Sequence, residues 1–170
     1  VDEFHNEEGK SVTQHCRSYV FDLDPRTRLR FIDTPGIGDT RGVEQDQKHI
    51  DHILSYANNY SHINAICLLF KPNSSRLSIF FRYCIRELFT LFPAAIHSQI
   101  FFCFTNSRST FYAPGDTGPL IRQMLTEEPF TRIPFKKDNT FCFDSESFRY
   151  LIARRAGISF TEDFHREILQ

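Results

Sequence analysis

The stretch Ala65-Ile-Cys-Leu-Leu-Phe70 is a run of six apolar residues, and its short length favours a strand covered on both faces over a helix. Ile-Phe-Phe-Cys-Phe-Thr at 100–105 and Thr-Phe-Cys-Phe at 140–143 are two further runs of this kind. Segments with helical spacing of apolar residues lie between and around them. This alternation predicts an α/β domain with three layers and a mostly parallel sheet.

The helices are predicted from apolar residues spaced at i, i+3 and i+4 among polar residues, or from a residue typical of a helix cap or stop. They are 44–60, 75–92 (stopped by Pro93), 119–125, 145–155 and a last helix from 161 to the end. Two short apolar runs at 19–23 and 29–33 are joined by the Pro-containing turn 24–28, which predicts an opening β-hairpin.

Composition limits the classes of function. The 170 residues carry 20 Lys and Arg against 21 Asp and Glu, a net charge of -1, which suits one domain and gives no electrostatic reason to expect binding to nucleic acid. No apolar stretch approaches the roughly 18 to 20 residues of a transmembrane helix. Nineteen Phe and no Trp indicate a core built largely from phenylalanine.

The five cysteines are odd in number and lack CxxC spacing. They lie mostly in apolar segments, which predicts buried thiols in a reducing compartment and therefore a cytoplasmic protein. His49 and His52 are three residues apart beside Asp46 and Asp51, a spacing that can bind zinc. Because a third and fourth ligand are not evident, we interpret this segment as a solvated helix face.

The strongest local motif is Phe31-Ile-Asp-Thr-Pro-Gly-Ile-Gly-Asp-Thr40, an apolar strand that ends in Asp and turns through Pro and two Gly. At the carboxyl end of a strand, Asp33 is placed to hold a hydrated Mg²⁺. Gly36 lets its backbone N–H approach a terminal phosphate closely. The alternative is an ordinary strand-to-helix turn, which uses the same residues for their backbone preferences.

The order Ser11-Val-Thr-Gln-His-Cys16, strand, then strand ending in Asp-Thr-Pro-Gly resembles the AIG-type (immune-associated, septin-like) G domains of the P-loop GTPase superfamily. Septins and chloroplast import-receptor GTPases are similar over 33–39. The resemblance extends from about 11 to 150 and is strongest over 11–42. It implies a single partial G domain over 1–170, with switch I near 11–16 and switch II at 33–42.

This resemblance assigns roles residue by residue. Thr13 would be the switch I threonine, a ligand of Mg²⁺ that also contacts the γ-phosphate. Asp33 would hold the metal through water, and Gly36 would be the switch II glycine. Thr13 and Gly36 are thus the predicted catalytic residues, and Thr13 and Asp33 the metal ligands. Ile37 stands where many GTPases have a water-orienting Gln, which predicts slow hydrolysis.

The base-recognition loop implied at 105–117 departs from the family's pattern. Asn106 matches, but Ser107 and Ser109 replace the lysine and the acid. Two alternatives therefore remain, a protein specific for guanine and a relative that uses ATP. Asp116 is a substitute for that acid or a simple turn and N-cap residue. The last base loop is 144–146, where Ser145 is either a base contact or a helix cap.

A phosphate-binding loop of the form Gly-x-x-x-x-Gly-Lys-Ser/Thr is missing, and Gly9-Lys10-Ser11 does not supply one, since Phe4 occupies the first glycine position. We therefore expect a fragment without the first strand, P-loop and first helix, whose central strand would separate 29–33 from 65–70. The implied ligands are GTP or GDP with Mg²⁺, with a homodimer across the nucleotide site. The alternative is a degenerate G domain that serves as a protein-interaction module.

Overall fold

The computed structural model describes residues 13–37, 42–73, 82, 85–86, 94–128 and 130–162. Most of the helix predicted at 75–92 and of the last predicted helix lies outside these residues, as do 11–12 of switch I and 38–41 of switch II. The described chain is a mixed α/β fold with a two-stranded and a three-stranded sheet. Its α-helices are α1 (Val43–Ala57), α2 (Thr117–Met124) and α3 (Glu146–Arg155).

The predicted hairpin is confirmed. Strands β1 (Arg17–Asp24) and β2 (Thr27–Asp33) pair antiparallel, with Arg17 opposite Asp33. The turn is fixed by the Asp24 carboxylate, which accepts a hydrogen bond of 2.7 Å from the Arg26 N–H. Because Arg17 pairs with Asp33, the segment that precedes β1 lies beside the end of β2.

The three apolar runs form the parallel sheet that their pattern predicts. Strands β3 (Ile66–Phe70), β4 (Ile100–Phe104) and β5 (Thr140–Cys142) lie in the order β3-β4-β5, and both pairings are parallel. Parallel pairing brings all three carboxyl ends to one edge of the sheet. The loops that follow these strands therefore meet there.

The core lies against one face of this sheet. Alternate strand residues point into it together with side chains from α2 and from 130–133, since side chains alternate between faces along a strand. The buried members are Leu68, Phe70, Ile85, Ile100, Phe102, Phe104, Ile121, Met124, Phe130 and Ile133.

The opposite face of the sheet is only partly open to solvent in the described structure, since Cys103 at its centre is buried. Leu69 is 66% exposed and Phe141 is 48% exposed, and the Cys67 side chain is also exposed. The apolar runs predicted a sheet that is covered on both faces. Among the described residues, a packed layer covers only the face that carries the core.

The expectation that phenylalanine fills the core holds for only some of these residues. Phe102 and Phe104 are buried, but Phe21, Phe31 and Phe148 are more than half exposed. The cysteines divide in the same way: Cys16 and Cys103 are buried, Cys67 is exposed and Cys142 is intermediate, and these four are free thiols. Apolar composition of a run predicted the strands correctly and burial only in part.

The two sheets are separate. The other edge of β2 and the other edge of β3 each lack a partner strand among the described residues, and β2 and β3 do not pair with each other. A strand outside this chain was expected to lie between β2 and β3. Direct pairing of β2 with β3 would have contradicted that expectation.

Candidate functional site

Thr13 and Asp33, which are twenty residues apart in sequence, meet at the base of the hairpin. The Thr13 hydroxyl donates a hydrogen bond of 3.3 Å to an Asp33 carboxylate oxygen in a solvent-exposed position. Antiparallel pairing explains the contact, because β1 begins where β2 ends and Thr13 lies just before β1. The structure thus brings together two residues that the resemblance assigned to one metal site.

Cys16 links this segment to helix α1. Its backbone N–H donates a hydrogen bond of 3.1 Å to Nε2 of His52. The Cys16 side chain is 8% exposed. Burial and, second, the negative charge of Asp33 raise the pKa of this thiol. The segment 13–16 is therefore anchored on one side by β1 and on the other by α1.

The loop after Asp33 is anchored by its own apolar residues. Pro35 is fully buried, and Ile37 packs against both the main core and the smaller cluster around Ile50 on α1. The Gly36 carbonyl is 3.2 Å from Nδ1 of His49. Since a carbonyl oxygen only accepts, the His49 ring donates this bond. Gly36 is thereby held between two packed residues.

The interpretation of this segment as a solvated helix face is wrong for His49 and Asp46, whereas His52 is half-buried and Asp51 is exposed. His49 is 3% exposed and Asp46 is fully buried, and both lie on the face of α1 that carries Ile50. Their spacing from Ile50 was the sequence signal for burial, because Asp46, His49 and Ile50 are at i, i+3 and i+4, which fall on one side of a helix. The described residues contain no group of three or more His, Cys, Asp or Glu side chains placed to hold a metal.

At the sheet edge, the loops after β4 and β5 are joined to each other. Ser107 is fully buried, and its hydroxyl donates a hydrogen bond of 3.0 Å to the Phe143 carbonyl. The Asp144 carboxylate accepts hydrogen bonds from the N–H groups of Ser145 at 2.7 Å and Arg108 at 3.1 Å. These two bonds, that of Ser145 first, hold the pKa of Asp144 below its ordinary value.

Asn106 and Ser145 therefore belong to two adjoining loops, as the predicted base site requires. Asn106 is exposed and adopts a left-handed backbone conformation with φ 58°, which Asn tolerates better than most residues. Ser145 stands at the N-cap position of α3 but makes no capping hydrogen bond with its side chain. Asp144, which the sequence placed only within the loop 144–146, is the residue that organises this junction.

Asp116 also stands at an N-cap position, that of α2, without a side-chain cap. Its backbone N–H donates a hydrogen bond of 3.0 Å to the Asn73 side chain in the loop after β3. Thr117 next to it is fully buried and donates a hydrogen bond of 2.9 Å to the Lys71 carbonyl. These contacts bring the loops after β3 and β4 together at the same edge of the sheet.

Hydroxyl and carboxylate oxygens are the donors that Mg²⁺ prefers, so Thr13 and Asp33 fit such an ion by chemistry and by proximity. Their exposure leaves room for the water and phosphate ligands that Mg²⁺ retains.

Comparison with known proteins gives no assignment: no family model matches the chain, and the curated proteins contain no matching relative. Helices long and apolar enough to cross a bilayer are not found in the described part of the chain.

Proposed function

We propose that this chain is part of a GTP-binding protein with Mg²⁺-dependent, slow GTP hydrolysis, a nucleotide-controlled switch of the AIG-type G-domain class. The observation that carries the proposal is the 3.3 Å contact between Thr13 and Asp33, residues that the resemblance assigns to switch I and switch II. Antiparallel pairing of β1 and β2 accounts for the contact itself, and the resemblance accounts for a hydroxyl and a carboxylate at these two positions.

In this proposal, Thr13 and Asp33 hold Mg²⁺, and the Gly36 backbone contacts the terminal phosphate. Bound Mg²⁺ supplies neutralisation of the charge on the phosphate oxygens. Asn106 and Ser145 contribute to the base site, which is supported by the bonds that join their two loops. The proposal requires a phosphate-binding loop that the given sequence does not contain, and the strand next to such a loop would fill the open edges of β2 and β3.

Two observations limit what this site does by itself. Ile37 packs into the core and cannot orient a water molecule, which fits slow turnover unless a partner or a second copy across the site supplies a further group. Ser107 is buried and bonded to the Phe143 carbonyl, so it does not read a base. The choice between guanine and adenine then depends on Asn106, on Asp116 or on residues outside this chain.

A degenerate G domain acting as a protein-interaction module is the second candidate. The exposed apolar side chains of the hairpin favour it: Tyr19, Phe21, Leu29 and Phe31 are 39% to 54% exposed and share one face of β1 and β2. Apolar patches of this kind mark contact surfaces in soluble proteins. The two candidates differ in whether nucleotide binds.

The decisive experiment measures binding of a fluorescent non-hydrolysable GTP analogue and of GDP to the complete protein, with and without Mg²⁺. Thr13→Val keeps the side-chain shape and removes the hydroxyl, whereas Thr13→Ser keeps the hydroxyl. We expect Thr13→Val to abolish Mg²⁺-dependent turnover and to weaken binding of the analogue by about tenfold or more, leaving GDP binding nearly unchanged. Thr13→Ser should retain most of both.

Unaltered turnover in Thr13→Val would refute the role of Thr13. A complete protein that binds neither GTP analogue nor GDP would refute the GTPase proposal and leave the interaction module. Competition by ATP as strong as by GTP would assign the site to an adenine nucleotide.

A further inference from the structure

Helix α1 places two histidines, one turn apart, against the two backbone segments that form the Thr13–Asp33–Gly36 site. Nε2 of His52 lies 3.1 Å from the Cys16 N–H, and Nδ1 of His49 lies 3.2 Å from the Gly36 carbonyl oxygen. Neither histidine was assigned a role by the motif that defines the site. Residues at i and i+3 of a helix lie on one side, so a single rigid element contacts both segments.

The His52 bond has a defined direction. A backbone N–H only donates, so Nε2 of His52 must accept, and the ring proton is on Nδ1. The ring is further enclosed by His15, at 5.5 Å between ring centroids, and by Tyr56, at 6.4 Å. These neighbours limit rotation of the His52 ring and so fix the position of the acceptor.

The His49 bonds form a chain through a buried ring. Nδ1 donates to the Gly36 carbonyl, and Nε2 accepts a hydrogen bond of 2.8 Å from the Gln45 side-chain amide. An Asp46 carboxylate oxygen lies 4.0 Å from Nδ1. With the ring 3% exposed, this orientation is fixed by packing as well as by hydrogen bonds.

We propose that His52 and His49 are positioning residues for the nucleotide site. His52 holds the Thr13 segment through the Cys16 N–H, and His49 holds the Gly36 loop through its carbonyl, so that α1 fixes the separation of the two segments before ligand binds. This inference rests on the proposed function. Neither histidine contacts the ligand itself, and each acts by lowering the cost of ordering the segment it holds.

The test for His52 uses the complete protein and a pair of variants that differ in one acceptor. His52→Leu removes the acceptor, whereas His52→Gln offers a side-chain oxygen at about the same distance from the backbone as Nε2. We expect His52→Leu to weaken Mg²⁺-dependent binding of the GTP analogue by about threefold to tenfold, the value of one hydrogen bond, with GDP binding unchanged. His52→Gln should restore most of the loss.

A double variant separates positioning from general destabilisation. In the Thr13→Val background, His52→Leu should cause little further loss of affinity, because the segment it positions no longer carries the ligand group. For His49 the matched pair is His49→Leu, without a donor, and His49→Asn, whose amide nitrogen can replace Nδ1. The same pattern of loss and rescue is expected.

Amide hydrogen exchange gives a readout that does not depend on nucleotide. The Cys16 N–H should exchange faster in His52→Leu than in the wild type, and His52→Gln should restore its protection. If the wild type binds no nucleotide, the proposed function fails, and exchange at Cys16 alone decides whether His52 holds the segment. Unchanged exchange in His52→Leu, equal loss of GDP and analogue binding, or additive losses in the double variant would overturn the inference.

Discussion

The parallel sheet and the hairpin are both rich in apolar residues, yet they use them in opposite ways. In β4, Ile100, Phe102 and Phe104 are at most 1% exposed and form the centre of the core. In the hairpin, Phe21 and Phe31 pack edge to face at 5.8 Å but are 51% and 54% exposed. The difference lies in what covers each sheet and not in its composition.

The polar side of the hairpin is the side with contacts to the rest of the chain. The Arg30 guanidinium donates a hydrogen bond of 2.7 Å to the Ser18 hydroxyl and lies 5.3 Å above the Tyr60 ring, just after α1. The apolar side faces solvent. Strand patterning therefore indicates that two faces differ, but which face is covered depends on the elements around it.

The largest expected effect contrasts one phenylalanine from each region. Phe102→Ala should lower the free energy of unfolding by about 3 to 5 kcal/mol, because it opens a cavity in the packed core. Phe21→Ala, at a half-exposed position, should change it by less than about 1 kcal/mol. Urea unfolding of both variants measures the difference. Equal losses would mean that the hairpin face is covered in solution.

A second contrast concerns asparagine side chains with similar bonds but different burial. Asn139 is 8% exposed; its amide donates to the Ile100 and Pro134 carbonyls at 3.0 and 2.7 Å, and its oxygen accepts from the Lys136 N–H at 2.8 Å. Asn139→Ala should lower the free energy of unfolding by about 2 to 3 kcal/mol, because it leaves buried backbone groups without hydrogen-bond partners.

The matched control for Asn139 is Asn59, an exposed residue in the turn just after α1. Its amide also donates two hydrogen bonds, each of 3.1 Å, to the carbonyls of Ser55 and Tyr56. Asn59→Ala should cost no more than about 0.5 kcal/mol, since water replaces the lost bonds. A similar loss in both variants would show that burial does not set the cost here.

The sequence was sufficient for the elements whose determinants are local. Continuous apolar runs identified β3, β4 and β5, and the Pro-containing turn at 24–28 identified the hairpin, because strand formation and turn chemistry depend on neighbouring residues. Burial of Phe21 or Leu69 depends on which elements lie over them, which periodicity within one strand does not report. The three-layer arrangement therefore stays a prediction, whereas the parallel three-stranded sheet is confirmed.

Part of the candidate site was also indicated by the sequence. A motif at the end of a strand marked Asp33, and the resemblance assigned Thr13 to the same metal site, and these two side chains are in contact. The supporting residues were missed, since the roles of His49 and His52 arise from the packing of α1 against two loops distant in sequence. Asp144 was seen only as part of a loop, because its partner Arg108 follows a different strand.

The last prediction compares the two faces of the parallel sheet through its cysteines. Cys67 lies on the exposed face of the sheet. Its partner on the neighbouring strand β4 is Phe101, so the buried Cys103 lies two residues further along β4 on the same face. A hydrogen bond from the Cys103 thiol, opposed by burial, lowers the pKa of Cys67 to about 6, and the same pairing raises the pKa of Cys103. Cys142 packs on the core side of the sheet, and burial raises its pKa.

Since the thiolate is the nucleophile, alkylation of Cys67 by iodoacetamide should increase through pH 6 and then level off, as read from its peptide by mass spectrometry. Cys103→Ala removes the donor and should move the midpoint up toward the ordinary value of about 8.5, while Cys142→Ala should leave it unchanged. A midpoint that does not move in Cys103→Ala would contradict the thiol pairing.

The same experiment also tests whether the exposed face of the sheet is covered. Resistance of Cys67 to alkylation at every pH in the complete native protein, together with rapid reaction after unfolding, would show that another segment or partner covers this face. The sheet would then have both faces buried, as its apolar runs predict, and its contrast with the hairpin would be sharper.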